Sequence, residues 1–212
     1  MTALPIIKIE NRKDLQPEVM KHIKQTDYVI DIGCGIRPQQ LIKPKVQVCI
    51  EPYAEYIKHV EKNLKNPDRT YVMINSTWDI LNQLPSNSAD TILFTDVIEH
   101  LEKKEGKRLI QQAKRVARVQ VILFTPLGFL PQQHPDGKDA WGLNGGKWQE
   151  HKSGWEPKDF DSNWDIFLCE KFHTVGNSAE LFDEPYGAFW AILNIAPHPE
   201  NNQAFTILSP GN

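Results

Sequence analysis

Five short apolar runs recur along the first 125 residues: YVIDI (28–32), VQVCIE (46–51), YVMIN (71–75), TILFT (91–95) and QVILFT (120–125). Runs of this length, rich in Val, Ile and Phe and nearly free of charge, fit parallel strands covered on both faces, since a water-facing side would demand polar alternation. Between them Tyr56, Ile57, Val60 and Leu64 keep the spacing of one helical face, as do Leu109, Ile110, Ala113, Val116 and Ala117. Strand and helix periods in alternation predict an α/β, doubly wound sheet. After Thr125 the texture changes: residues 126–156 are rich in Pro, Gly, Asn, His and Trp and keep no period. A long irregular stretch in a compact domain is usually functional, and the tryptophans argue against disorder, so it is expected to be a lid or substrate wall. The chain closes with WDIFLCEKFHTV and GAFWAILNI, separated by a turn-rich segment containing Asn177, Pro185 and Gly187. No helix fits between these runs, which predicts an antiparallel pair at the sheet edge, followed by an irregular tail from Pro197.

At 212 residues the expectation is one domain, 1–212, with the 126–156 insertion inside it. A net charge of −3 leaves no electrostatic footprint for nucleic acid, and the basic residues about Lys103–Arg118 are expected on a solvated helix face. The first apolar stretch meets charge too early for a secretory leader and no run spans a bilayer, so the chain is expected in the cytoplasm, without a membrane partner. Cys34, Cys49 and Cys169 are scattered without CxxC spacing. Buried free thiols are the expectation, and no metal site is expected. A nucleophilic Cys34 is the alternative, because N–H groups about a glycine turn lower a thiol pKa.

That turn, IGCGIRP, follows the first run, and four acids fall at or near strand ends: Asp31, Glu51, Asp79 and Asp96. In an open α/β sheet the carboxyl ends of the strands carry the ligand, so the four are expected to line one crevice. Each acid alone also serves as a helix cap. A nicotinamide dinucleotide would suit a glycine turn with an acid after the second strand, but Pro38 stands where GxGxxG needs its last glycine. Asp31 would also set a carboxylate against a pyrophosphate, whereas a sulfonium nucleoside bearing an ammonium would be attracted.

The stretches VIDIGCGIRP, VCIEPY, STWDILNQLPSNSADTILFTDVIEHLEK and VILFTP, in this order and spacing, resemble class I S-adenosylmethionine-dependent methyltransferases of the small bacterial or phage type, similar to methyltransferase type 11. The resemblance covers residues 28–126. It implies a Rossmann-like, seven-stranded, mostly parallel sheet whose sixth and seventh strands are the closing pair, and S-adenosyl-L-methionine as cofactor. By position it implies that Asp31, Gly33, Cys34 and Gly35 wrap the methionine portion and that Glu51, next to Pro52, accepts both ribose hydroxyls. Trp78 and Asp79 would flank adenine, and Thr95 and Asp96 would approach the methionine end. Arg37 departs from the family, which usually has a third glycine there. Two other readings stay open, a nicotinamide-dependent oxidoreductase and a cofactor-binding protein without catalysis.

Methyl transfer from a sulfonium is an in-line displacement, so the protein aligns the acceptor and excludes water, and a hydroxyl acceptor also needs a base. The candidates are His151 first, His134 second and His100 third; His100 follows Asp96 by four residues in DVIEHL and shares its face if that segment is helical. His151 and Trp155 lie in GKWQEHKSGWEPKDF, expected to lead through Pro157 into a short helix. HKSGW is similar to the HxSGW segment of methyltransferases that modify sugars and surface glycans, which implies a glycan or other small hydroxylated acceptor. Trp141, Trp148 and Trp155 suit an apolar sugar face or a flat ring, or else hold the insertion to the core.

Overall fold

The computed structural model describes residues 4–64, 68–176 and 181–196. Eight strands form one mixed sheet: β1 (Ile6–Lys8), β2 (Tyr28–Ile32), β3 (Val46–Glu51), β4 (Thr70–Asn75), β5 (Ala89–Thr95), β6 (Ala117–Pro126), β7 (Trp164–Val175) and β8 (Leu181–Asn194). The helices are α1 (Arg12–Met20), α2 (Ala54–Asn63), α3 (Lys103–Val116) and the single turn α4 (Gly146–Gln149). Across the sheet the order is β1-β7-β8-β6-β5-β2-β3-β4. From β2 the chain winds outward through β3 and β4, then returns to β5 on the other side of β2. The order therefore reverses between β2 and β5, where ligands bind in open α/β sheets.

Alternation along the central strands divides the core in two. Ile30, Ile32, Ile92 and Phe94 face the layer that holds Leu109, Ala113 and Val116 of α3. Val29 and Leu93 face Leu15 and Val19 of α1. Both faces of β2 and β5 are thus buried, which is why their sequences carry no polar alternation.

The closing pair is antiparallel, as expected, but β8 sits inside the sheet, antiparallel to both β6 and β7. Pro185 and Gly187 belong to β8 rather than to a turn, whereas Asn177 and the tail from Pro197 lie outside the described residues. The outer edge is taken by β1, which pairs in parallel with β7 and makes the sheet eight-stranded rather than seven-stranded. Three exposed residues carry no buried face, so β1 had no periodic signal to read. Between β2 and β3 there is no helix at all: Pro38 and Pro44 break it. Gln39 fills the space instead, its amide bonded to both Ile42 N and Ile42 O at 3.0 and 3.1 Å and to Gln47 Oε1 at 2.9 Å. No helix of the described residues is long and apolar enough to cross a membrane.

Candidate active site

The carboxyl ends of β2, β3 and β5 open into a cavity of about 730 Å3, roofed by the insertion after β6. Two glycines shape its floor. Gly33 and Gly35 have φ of 64° and 54°, a region closed to most side chains. A Cβ on Gly33 would come within 2.7 Å of Val97 Cγ2, and one on Gly35 within 3.1 Å of the Trp141 ring. Asp96 is also left-handed, at φ 52°, so its carboxylate is turned by a strained backbone at the end of β5.

Gly33, Cys34, Gly35, Glu51, Pro52, Trp78, Asp79, Thr95 and Asp96 all line this cavity, as do His100 and His151. Glu51 Oε2 accepts from Gly35 N at 3.0 Å and Oε1 from Tyr53 N at 2.9 Å, which joins the glycine turn to the start of α2. A carboxylate has about four acceptor positions, so two remain for hydroxyl groups. Burial pushes the Glu51 pKa up, against the pull of these two backbone donors. Trp78 is buried along the wall beneath the Arg108 guanidinium, and Asp79, at the exposed rim, accepts from Thr77 Oγ1 at 3.1 Å.

Two expected residues do not reach the cavity. Asp31 lies within β2, not beyond it, and points into the α1 layer, where its Oδ2 accepts from Gln39 N at 2.8 Å and Gln47 Nε2 at 3.1 Å. It positions the loop behind the glycine turn. Burial raises its pKa to about 7, opposed by those two donors and assisted by the charge of Glu51. His134 is the second of these residues. It lies outside the cavity lining, where it packs against Gly146, accepts from Gly137 N at 2.9 Å and keeps Nε2 buried without a hydrogen-bond partner, yet it is near enough to His100 and His151 for its charge to lower both. Cys34, Cys49 and Cys169 are buried free thiols, and contact with Cys49 together with burial drives the Cys34 pKa up, opposite to a nucleophile.

The insertion is clamped at two places. On the α2 side, Asp139 accepts from Trp141 N and Leu143 N at 2.9 Å, from Gly145 N at 2.6 Å and from Tyr56 Oη at 2.7 Å. On the α3 side, Lys152 N and Ser153 N donate to Glu99 O at 2.7 and 3.1 Å, while Ser153 Oγ and Trp155 Nε1 both donate to Ile98 O at 3.1 Å. Trp155 is fully buried under α3, where a Cβ on Gly106 would overlap its ring and Lys103 Nζ stands 3.8 Å from the ring centre. Ser153 and Trp155 are therefore a core anchor, with Trp155 outside the cavity lining, while Lys152 beside them lines the cavity. Trp141 and Trp148 do line the cavity. The short helix expected after Trp155 is one 3-10 turn, Pro157–Asp159, closed by a reciprocal capping box between Glu156 and Asp159.

This clamp sets His151 against His100, ring centres 4.9 Å apart. His100 Nδ1 lies 3.1 Å from Glu150 O and His151 Nδ1 2.6 Å from Leu130 O. A carbonyl can only accept, so both Nδ1 atoms carry hydrogen and both Nε2 lone pairs are free in the neutral rings. Burial lowers the pKa of His151 and takes His100 down to about 4, with the charge of His151 adding to the effect. His173 of β7 joins the same wall, also lowered to about 4 by burial. Sequence reading missed His173 because nothing in the period of β7 shows that its outer half passes the cavity. It also missed Glu99, which lies behind His100 at 2 % exposure and accepts from Thr125 Oγ1 at 3.0 Å.

No curated protein matches the chain. A family model described as a methyltransferase domain matches residues 30–125, from β2 to the end of β6. An S-adenosylmethionine-dependent methyltransferase of Methanosarcina mazei shares the fold with a TM-score of 0.58 and 15 % identity, covering 86 % of this chain and 98 % of that one. TehB from Haemophilus influenzae gives 0.57 and 13 %, covering 84 % and 61 %. An S-adenosylmethionine-dependent methyltransferase of Archaeoglobus fulgidus gives 0.53 and 15 %, covering 87 % and 94 %. The matched residues carry the glycine turn, Glu51, Trp78 and Asp96 of the cavity, and over them the chain matches a methyltransferase domain, on a fold shared with S-adenosylmethionine-dependent methyltransferases.

Proposed function

We propose that the protein methylates a hydroxyl oxygen of a small acceptor, a sugar, a glycan unit or another hydroxylated metabolite. The observation that carries this reading is the composition of the cavity's lining: His100, His151 and His173 all belong to it, His100 and His151 with ring centres 4.9 Å apart, in the same cavity that the glycine turn lines. The volume of about 730 Å3 stands high in the range of roughly 300–1,000 Å3 for small-molecule sites, which leaves space for cofactor and acceptor together.

S-adenosylmethionine supplies a methyl group already activated on a sulfonium. The chain's own task is to hold the acceptor oxygen in line and dry, and to help it lose its proton. Glu51, with two acceptor positions to spare, suits the ribose, Trp78 and Asp79 suit adenine, and Asp96 suits the cationic end. The histidine wall works on the acceptor, with His151 foremost, since it is held by Leu130 and the insertion rather than by the cofactor motifs.

The test is a panel of sugars and other hydroxylated acceptors incubated with cofactor and read by product mass. A product heavier by one methylene, with the methyl group mapped to oxygen, supports the proposal. His151→Ala is expected to lower its formation by about a hundredfold or more while S-adenosylhomocysteine binds as in wild type. Transfer to nitrogen or carbon acceptors alone would overturn it.

A further inference from the structure

Among the described residues, one group of three side chains brings ligand-type atoms together, Glu99, His100 and His151, with those atoms all within 4.8 Å of one another. Three features mark the group as more than a chance meeting. Both imidazoles have Nδ1–H committed to a backbone carbonyl, Glu150 O and Leu130 O, the arrangement that fixes a metal-binding histidine with Nε2 free. Glu99 is held through Oε2 by Thr125, and its Oε1 is buried with no hydrogen-bond partner. The carboxyl of Asp96 stands beside the buried Glu99, and burial and the like charge push the Glu99 pKa well up, a cost that a cation would relieve. Finally, the backbone of Glu99 accepts from Lys152 N and Ser153 N, so the turn that provides two of the residues is fastened to the insertion that provides the third.

We infer that Glu99, His100 and His151 form a binding site for a divalent transition-metal ion of the zinc, cobalt or manganese class. Two imidazoles and one carboxylate suit these ions, whereas magnesium and calcium take oxygen ligands almost throughout. Ligand atoms on one ion stand about 3.3 Å apart when bonds are near 2.1 Å, so the three need draw together by at most about 1.5 Å, within the reach of side-chain rotation. Lys152 lines the same cavity and opposes a cation, while Asp96, in the same lining beside Glu99, brings a second carboxyl group to the place. Three protein ligands leave at least one coordination position open toward the cavity. The proposal rests on the hydroxyl-acceptor reading only for its purpose: a bound cation would take the acceptor oxygen and ease loss of its proton to water, favouring acceptors with a second oxygen beside the reacting hydroxyl.

The experiment titrates metal-stripped full-length protein with Co2+, followed by calorimetry and by visible absorption, and repeats it with Zn2+. One equivalent should bind, with the d–d bands of a site of low coordination number. Affinity should fall at least tenfold in His151→Ala and in Glu99→Gln, and stay unchanged in His59→Ala on α2. S-adenosylhomocysteine binding, measured on each variant, shows that the variant is folded. Absence of saturable binding, or binding that survives His151→Ala in a folded variant, would overturn the inference. Full turnover in metal-stripped protein would deny the ion its catalytic purpose and leave methyl transfer standing. Failure of every hydroxylated acceptor with and without Co2+ would instead count against the hydroxyl reading, with cation binding judged by the titration alone.

Discussion

Glu51 serves two masters, the glycine turn through Gly35 N and the start of α2 through Tyr53 N, and it has acceptor positions left for a hydroxyl pair. Glu51→Ala should therefore weaken S-adenosylhomocysteine binding by about 2 kcal/mol, roughly thirtyfold in Kd, the scale of hydrogen bonds to a charged group. The domain stays folded, because the side chain lies at the strand end and not in either core layer; an unchanged Kd would remove Glu51 from the site. Asp31 gives a pH signature. Its folded pKa, about 7, is raised above the ordinary carboxylate value near 3.9, so its contribution to stability is fully present below pH 4 and is lost as pH rises toward and through 7. Asp31→Asn does not ionise, so its melting temperature relative to wild type should climb between pH 4 and pH 8. Thermal melts across that range check the slope, and a difference that stays constant would contradict the buried-carboxyl account. That Gly33, Gly35, Glu51, Trp78, Asp79 and Asp96 line one cavity was legible because their positions follow from strand ends and turn glycines. Asp31 misled because a residue inside a strand points to one face of the sheet, not off its end.

At the scale of the element, the insertion works by being fixed, not by being free. Trp155 is fully buried, donates to Ile98 O and packs beneath Lys103 and Gly106. Trp155→Ala should cost about 3–5 kcal/mol, and with roughly 2–4 °C lost per kcal/mol in a chain of this size the melting temperature should fall by about 10 °C. Gly106→Ala should lower turnover with a smaller loss of stability, because a Cβ there displaces the ring and with it the run that carries His151. Calorimetric melts and turnover on the two variants check this; Trp155→Ala melting like wild type would show that the anchor lies elsewhere. The sequence displayed the insertion through loss of period, and its tryptophans announced packing. Which of them face the cavity was not legible, since that depends on α3 having a glycine at 106 to receive one ring while Gly35 admits another.

Across the whole molecule, the sheet was readable because its central strands are buried on both faces, and the reversal between β2 and β5 puts the site where such sheets hold ligands. The part that escaped was the outer edge: β1 has no buried face, and the place of β8 between β6 and β7 is set by pairing partners far apart in sequence. The crossover after the glycine turn shows the same dependence, since Gln39 and Gln47 replace a helix there through bonds no periodic pattern records. The crevice at this reversal suits a sulfonium nucleoside and not a dinucleotide. Isothermal calorimetry of the full-length protein with S-adenosylhomocysteine and, separately, with NAD tests it most directly. One saturable site for S-adenosylhomocysteine is expected, with no heat from NAD; saturable heat from NAD with none from S-adenosylhomocysteine would make the crevice a dinucleotide site instead.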